Sequence, residues 1–568
     1  MKTYIGATNI ISSLGLSTSE NFDNITKYYS GIKSLNDTTL LERPFLGATI
    51  DWQRVSDESA KRNIKGYTKI EQLLILSISD VLEKSGIELS ENSCGLIFST
   101  TKGNVDLLSS NSIPEDAYLF NMARNVASYF GYTREPIVVS NACISGVSAI
   151  ILASRLIREG AFSNIIVAGA DILTKFVVSG FMAFKSVSGN PCKPYDASRD
   201  GLSLGEGCGS LLITSNKALS NGVVVEGGSI TNDANHISGP SRTGDGLSYA
   251  ISQAMEETGI QISDISFINA HGTATPFNDE MESKAIKLSG LSSIPVNSLK
   301  PYIGHTLGAS GVIESIICVE QLLSGIMLAT KGFENLGVPE EIIVAGKHAM
   351  QPMQRCIKTA SGFGGCNGAV ILSLESNAKA IACNPSTNYE IVKSCCIENG
   401  KLIINGTQTY ESSDEFATFI RNTFKALEAP NMKFYKMDDL CKLGYVAAEY
   451  LLKDVSYSPS EVAILMANNA SSLDTDSKHQ QIIEEHGDEG ASPATFVYTL
   501  PNVVLGEICI RHKIMGENTF FVSNSKPSFL EDYAKVVLNR KEYKAVIYGW
   551  CNLLGEDYKV DLKLIERN

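Results

Sequence analysis

Residues 136–159 read PIVVSNACISGVSAIILASRLIRE. Pro136–Ser140 is a short β-branched run of the kind that forms a buried strand. Asn141, Ala142 and Cys143 interrupt it, and helical spacing then holds to Glu159, where Gly160 can close the helix. A thiol at the junction of a strand and a helix faces unpaired backbone N–H groups, whose partial positive charge favours thiolate. Ala142, Ser145 and Gly146 are small, which suits a tight turn and lets a substrate approach the sulfur.

The flanking sequence repeats this alternation. Ile70, Leu73, Leu74, Ile78, Val81 and Leu82 mark one face of a helix that Gly86 can end. Cys94–Thr100 and Asn164–Gly169 read as buried strands on either side of the 136–159 unit. Ile265–Asn269 is a further strand ending at His271, and Pro295–Leu299 is another, followed by a helix through Leu323. Ala369–Leu374 is a last strand before residues 376–388, which lose periodicity and gather Asn, Ser and Pro as a linker does. Such alternation predicts an α/β fold with a parallel-type sheet covered on both faces.

The remainder, 389–568, echoes the beginning. A helical run at Asp438–Leu452 precedes VAILMANNASS, as the helix near Ile70 precedes CGLIFSTTKGN. NTFFVSNSK parallels PIVVSNACIS, and KAVIYGWCN parallels NIIVAGADI. An internal repeat is the reading adopted, against the alternative that any α/β segment alternates in this way. At the junction the echo carries Asn524-Ser525-Lys526 and no cysteine.

Composition bounds the function. The 568 residues are 43% hydrophobic and 19% charged, the profile of a globular multi-domain chain. A net charge of −14 argues against nucleic acid or anionic membrane as the main partner. No signal peptide and no uninterrupted apolar run of about 18 residues is evident, so no membrane span and a cytoplasmic location are expected. The 13 cysteines form no CxxC pair and the seven histidines no zinc signature, so reduced thiols and no metal are expected.

Two histidines stand on strand-end loops downstream of Cys143. His271 lies in AHGTATPFNDEMES, and His305 in SLKPYIGHTLGASGVIES between Gly304 and Gly308. A cysteine nucleophile with two imidazole partners is a plausible catalytic set. Gly362-Phe363-Gly364-Gly365 adds a tight backbone whose N–H groups can face an oxyanion.

With these residues in view, the first ~375 positions resemble the β-ketoacyl synthases of fatty acid and polyketide synthesis, in their elongating Cys-His-His class. Four motifs carry the likeness in family order: SNACISG, AHGTATPFND, SLKPYIGHTLGASG and SGFGGCNGAVI. A fifth, PYDASRDGLSLGEGCG, is similar to the family's Gly-Glu-Gly segment. The resemblance implies a thiolase-like, five-layered αβαβα duplication, with one half over 1–163 holding the nucleophile and another over 164–375 holding both histidines. It leaves 389–568 as an extra half-domain resembling the amino-terminal half without its nucleophile, expected to be non-catalytic and to pack on the synthase or on a partner subunit.

The resemblance also implies roles. Cys143 would take an acyl chain from a carrier-protein thioester. His271 and His305 would stabilise the enolate formed when a malonyl thioester loses carbon dioxide. Lys300 matches the family lysine and Glu314 its supporting glutamate. Phe363 matches the gating phenylalanine, with its N–H and that of Cys143 forming the oxyanion hole. Asp279 and Glu206 match acidic positions read as structural. Lys61, Arg62, Lys65 and Lys69 form a basic island similar to the family's carrier-docking surface. No cofactor is implied, since substrates arrive on the phosphopantetheine of an acyl carrier protein. A homodimer, or a heterodimer with another ketosynthase-like subunit, is expected. Pro301, where the family has a small polar residue, is a departure. The competing readings are a chain-length-factor-like or scaffold subunit and a non-condensing acyltransferase.

Overall fold

The computed structural model describes residues 1–379 and 388–567. Its first sheet contains β1 (Thr3–Ser12), β2 (Cys94–Ser99), β3 (Ile137–Val139), β4 (Asn164–Asp171) and β5 (Gly207–Thr214). β2 pairs in parallel with both β3 and β4, while β5 runs antiparallel to β4 and to β1. The order is therefore β3-β2-β4-β5-β1. The predicted parallel sheet is a mixed one, with only its β3-β2-β4 part parallel.

Two helices cover this sheet. α1 (Lys69–Ser85) opens on a capping box between Thr68 and Glu71 and ends at Gly86 in the left-handed region (φ 68°). α2 (Ser145–Arg158) is buried along its whole length, so it lies between layers and not on a surface.

The second sheet repeats the pattern. It comprises β6 (Val223–Asn232), β7 (Phe267–Asn269), β8 (Pro295–Asn297), β9 (Arg355–Gly362) and β10 (Cys366–Leu374). β7 is parallel to β8 and β9, β9 antiparallel to β10, and β10 antiparallel to β6. The order β8-β7-β9-β10-β6 matches the first sheet strand for strand. Its helices are α3 (Asp245–Thr258), α4 (Pro276–Leu288) and α5 (Ser310–Ser324). Leu307–Ser324 is apolar and long enough to cross a membrane, but most of it is buried in the molecule as a core helix.

A third copy follows. β11 (Tyr389–Glu398), β12 (Val462–Asn468), β13 (Asn518–Val522), β14 (Ala545–Leu554) and β15 (Asp557–Arg567) pair in the order β13-β12-β14-β15-β11, again with the first three parallel. Among its helices are α6 (Asp439–Leu452), α7 (Val503–His512) and α8 (Phe529–Leu538). The three sequence echoes fall on α6–β12, β13 and β14.

The pairings move one expected boundary. β4 and β5 complete the first sheet, so the boundary between the first two copies lies between Thr214 and Val223 and not after residue 163. Of the predicted linker, 380–387 lies outside the described residues, and Lys379 still donates its N–H to Glu226 Oε1 at 3.0 Å.

The third copy docks on the first through strand edges. Phe521 and Val522 of β13 pair antiparallel with Val139 and Val138 of β3, so the first and third sheets run on into each other. Buried ion pairs cross the contact: Lys102 with Asp476 at 2.7 Å, and Arg155 with Glu517 at 2.6 Å. A half-domain would expose an apolar face where its missing mate packs, but α8 buries only one side. Its outer side carries Glu531, Asp532 and Lys535.

Candidate active site

The nucleophile turn and the second histidine meet because two central helices cross at glycines. A Cβ on Gly146 of α2 would lie 2.6 Å from Val312 N, and one on Gly311 of α5 would lie 2.4 Å from Val147 N. No larger residue allows this approach. The helices therefore bring their amino-terminal ends together, each preceded by a reactive side chain.

Cys143 occupies the turn before α2. Ala142 takes a left-handed conformation (φ 48°), and Ser145 Oγ braces the turn by accepting from Asn141 N at 2.8 Å and donating to Ala142 O at 2.6 Å. On the other helix, His305 N donates to Ser203 O at 2.7 Å, and His305 Nδ1 lies 3.0 Å from Ser310 Oγ. Lys300 opens a four-residue helix, Lys300–Ile303, whose first turn also holds Pro301. Proline is tolerated there because that N–H has no helical partner, so this departure leaves the loop intact.

His271 follows β7, and its loop is held by carboxylates on α4. Glu282 accepts from His271 N and Gly272 N, both at 2.7 Å, and Asp279 accepts from Tyr195 N at 2.7 Å and Ala274 N at 3.2 Å. Glu206 is a brace of the same kind, accepting from Ile50 N, Leu173 N and Trp52 Nε1.

The three side chains converge. His305 Nε2 is 3.2 Å from Cys143 Sγ, and the two imidazole rings stand edge to face with centroids 5.1 Å apart. One ligand-type atom from each of Cys143, His271 and His305 lies within 4.8 Å of the others, a donor set that would also suit a soft divalent metal.

Glu314 is clasped by Lys300 Nζ at 2.8 Å and by Lys358 Nζ, with all three buried. Two ammonium groups against one carboxylate leave positive charge beneath the rings. Burial, reinforced by Lys300, holds both imidazoles well below their ordinary range, so they are neutral. Burial pushes the Cys143 thiol up to about 12 despite the opposing pull of Lys300. The helix dipole does not win at this sulfur, which rests as a thiol.

Phe363 stands between two cavities that share Cys143. One of about 330 Å³ is lined by Phe184, Asp233, Pro240, Thr273, His271 and His305, among others. The other, of about 20 Å³, is lined by Thr101, Lys102, Val177, Phe181, Phe496 and Leu500. Phe363 packs against Phe184 with centroids 5.2 Å apart.

The structure groups Cys143, His271, His305, Lys300, Glu314 and Phe363, with Asp279 and Glu206 as braces. Lys61, Arg62, Lys65 and Lys69 are not among the residues lining the larger cavity. Lys61 pairs with Glu58, Arg62 with Glu83, and Lys69 lies over the Trp52 ring. Sequence reasoning missed Glu282, Lys358 and Asp171. Asp171 accepts from Thr101 N at 3.0 Å and Gly308 N at 2.7 Å, tying the end of β2 to the His305 loop. Glu282, three residues after Asp279 on α4, was within reach of helical spacing. Lys358 sits inside β9 and Asp171 at the end of β4, and the groups they meet lie far off in sequence.

Comparison with known proteins adds independent support. Residues 12–218 match the model of the β-ketoacyl synthase amino-terminal domain, and 222–334 that of the carboxy-terminal domain, together more than half of the chain. The 3-oxoacyl-[acyl-carrier-protein] synthase 2 of Vibrio cholerae is 28% identical over 404 residues, covering 64% of this chain and 96% of that protein. The Staphylococcus aureus protein of the same name is 25% identical over 412 residues, covering 64% and 98%. Among solved structures, the PfaC keto synthase–chain length factor superposes with a TM-score of 0.78 at 13% identity, covering all of this chain and 78% of that one. The Xenorhabdus doucetiae ketosynthase ApeO, solved with its chain length factor ApeC, gives 0.57 at 24% identity over 66% of this chain and 98% of that one. The PfaC superposition shows the fold across all three copies, and the ApeO superposition shows a thiolase-like duplication. With both family models matched in order across the first two copies, the chain belongs to the β-ketoacyl synthase family.

Proposed function

We propose that this protein is a β-ketoacyl-[acyl-carrier-protein] synthase joining an acyl group to a malonyl-derived unit by decarboxylative Claisen condensation. The observation that supports it most strongly is the 3.2 Å approach of His305 Nε2 to Cys143 Sγ, with His271 beside them. In the loading step the Cys143 proton passes to His305 Nε2 as sulfur attacks the acyl thioester, and then to the departing pantetheine thiolate. Ser310 Oγ can donate or accept at Nδ1, so it serves either tautomer of His305. In the second step the malonyl C–C bond breaks and carbon dioxide leaves with its bonding electrons left on the enolate. Neutral His271 and His305 donate Nε2–H to the enolate oxygen, in a site where burial strengthens such bonds. The enolate carbon attacks acyl-Cys143, the C–S bond breaks with its electrons left on sulfur, and the Cys143 thiolate takes up a proton from water. Backbone N–H groups of Cys143 and Phe363 would hold the intermediate oxyanion.

The wider reading is that the enzyme works in the cytoplasm without a cofactor and receives its substrates from an acidic acyl carrier protein. Its product is a fatty acid, polyene or polyketide chain. Intact mass tests the loading step. After incubation with acyl carrier protein the wild type should gain one acyl group and Cys143→Ala none, while equal labelling of both would refute the role of Cys143.

A further inference from the structure

The glycine-flanked loop carrying Phe363 is pinned by residues of the third copy. Asn502, the residue before α7, is 1% exposed and donates from Nδ2 to Phe363 O at 2.8 Å. The other end of that peptide unit, Gly364 N, donates to Ile237 O at 2.6 Å. The next carbonyl, Gly364 O, accepts from Asn232 Nδ2 at 2.9 Å, and this amide is itself 3.2 Å from Asn518 Oδ1 on β13. Packing leaves no slack: a Cβ on Gly364 would lie 2.6 Å from Asn502 Nδ2, and one on Gly506 of α7 would lie 2.5 Å from Gly364 O. The other side of the site is tied to the same unit, since Asn141 Nδ2 donates to Asn518 O at 2.9 Å two residues before Cys143.

We infer that Asn502 is a positioning residue for the condensation, acting through Phe363. Rotation of the Phe363 backbone would swing both its N–H and its ring. Clamping the following peptide at both ends fixes the N–H that would face the acyl oxygen and keeps the ring between the two cavities. A donor held in place before charge develops costs no reorganisation when it does. The half-domain without a nucleophile thus acts on the chemistry from outside the reacting atoms. This inference rests on the function proposed above.

The test compares the full-length wild type with Asn502→Asp, which keeps the shape but presents an acceptor to the carbonyl, and Asn502→Ala, which removes the donor without adding charge. Both variants should lose about 10- to 100-fold in kcat for condensation. KM for the malonyl carrier should stay within about twofold, the signature of an interaction felt mainly in the transition state. Carbon dioxide released per condensed product should rise. Thermal unfolding of each protein checks the fold, and the alanine variant decides should the aspartate variant fail to fold. A folded variant with wild-type kcat and wild-type coupling would overturn the inference. A wild type that neither loads Cys143 nor releases carbon dioxide would instead refute the function on which it rests.

Discussion

At the residue scale, the sulfur is buried with a pKa of about 12 and stands 3.2 Å from a neutral imidazole. Direct attack by free thiolate would make loading climb about tenfold per pH unit through neutrality. The proposed transfer of the proton to His305 as the C–S bond forms would remove that dependence. In the proposed mechanism His271 and His305 are neutral donors, and burial with Lys300 lowers their pKa values, so they stay neutral below the ordinary imidazole range. The condensation rate should therefore be nearly flat from about pH 8 to about pH 6. It should fall only where acid reaches the depressed values and charges the rings. A stopped-flow pH profile checks this, and a loss centred near pH 6.5 would show that the rings titrate as in water. The residue types at this site were legible because Cys143 and His271 follow strands and His305 a short helix, each beside small residues. Lys358 and Asp171 were not, because neither position says which distant carboxylate or loop its side chain will meet.

At the scale of elements, the strand–cysteine–helix unit at 137–158 follows directly from local sequence, since β-branching, the small turn residues and the helical spacing all agree. What local sequence does not contain is the crossing of α2 and α5, where Gly146 meets Gly311 from 165 positions away. That glycine pair makes the site, because it lets two helix beginnings converge. The amino-terminal end of α1 carries the proposed carrier-docking island. Lys65 and Lys69 are exposed there, and the helix dipole adds to their charge. Reversal to glutamate at both positions should weaken binding of an acidic carrier protein by about tenfold at low salt, with the difference fading as salt is added. Unchanged affinity at low salt would reject this surface and point to one nearer the cavity mouth.

At the scale of the whole molecule, one five-strand arrangement is used three times, and the third copy covers an edge of the first. The repeat was visible in three short echoes, whereas the boundary near 218 was not, because β4 and β5 join a sheet begun 160 residues earlier. The docking of the third copy was not visible either, since β3–β13 pairing and the Lys102–Asp476 and Arg155–Glu517 ion pairs are long-range. Truncation after Ser376 would uncover the β3 edge and strand Lys102 and Arg155 without their carboxylates. An edge strand bared in this way invites pairing with another chain, and the apolar surface that the third copy covers would face water. The truncated protein should self-associate or aggregate on size-exclusion chromatography and lose activity. A soluble, fully active fragment in an unchanged oligomeric state would remove the role assigned to the third copy. In the proposed reaction a carbanion made by decarboxylation is captured by the acyl group on Cys143. Its most direct measurement is labelled carbon dioxide released from malonyl-[acyl-carrier-protein] alongside the elongated product. Wild type should yield the two in equal amounts with both lost in His271→Ala, while acyl transfer without carbon dioxide release would contradict the account.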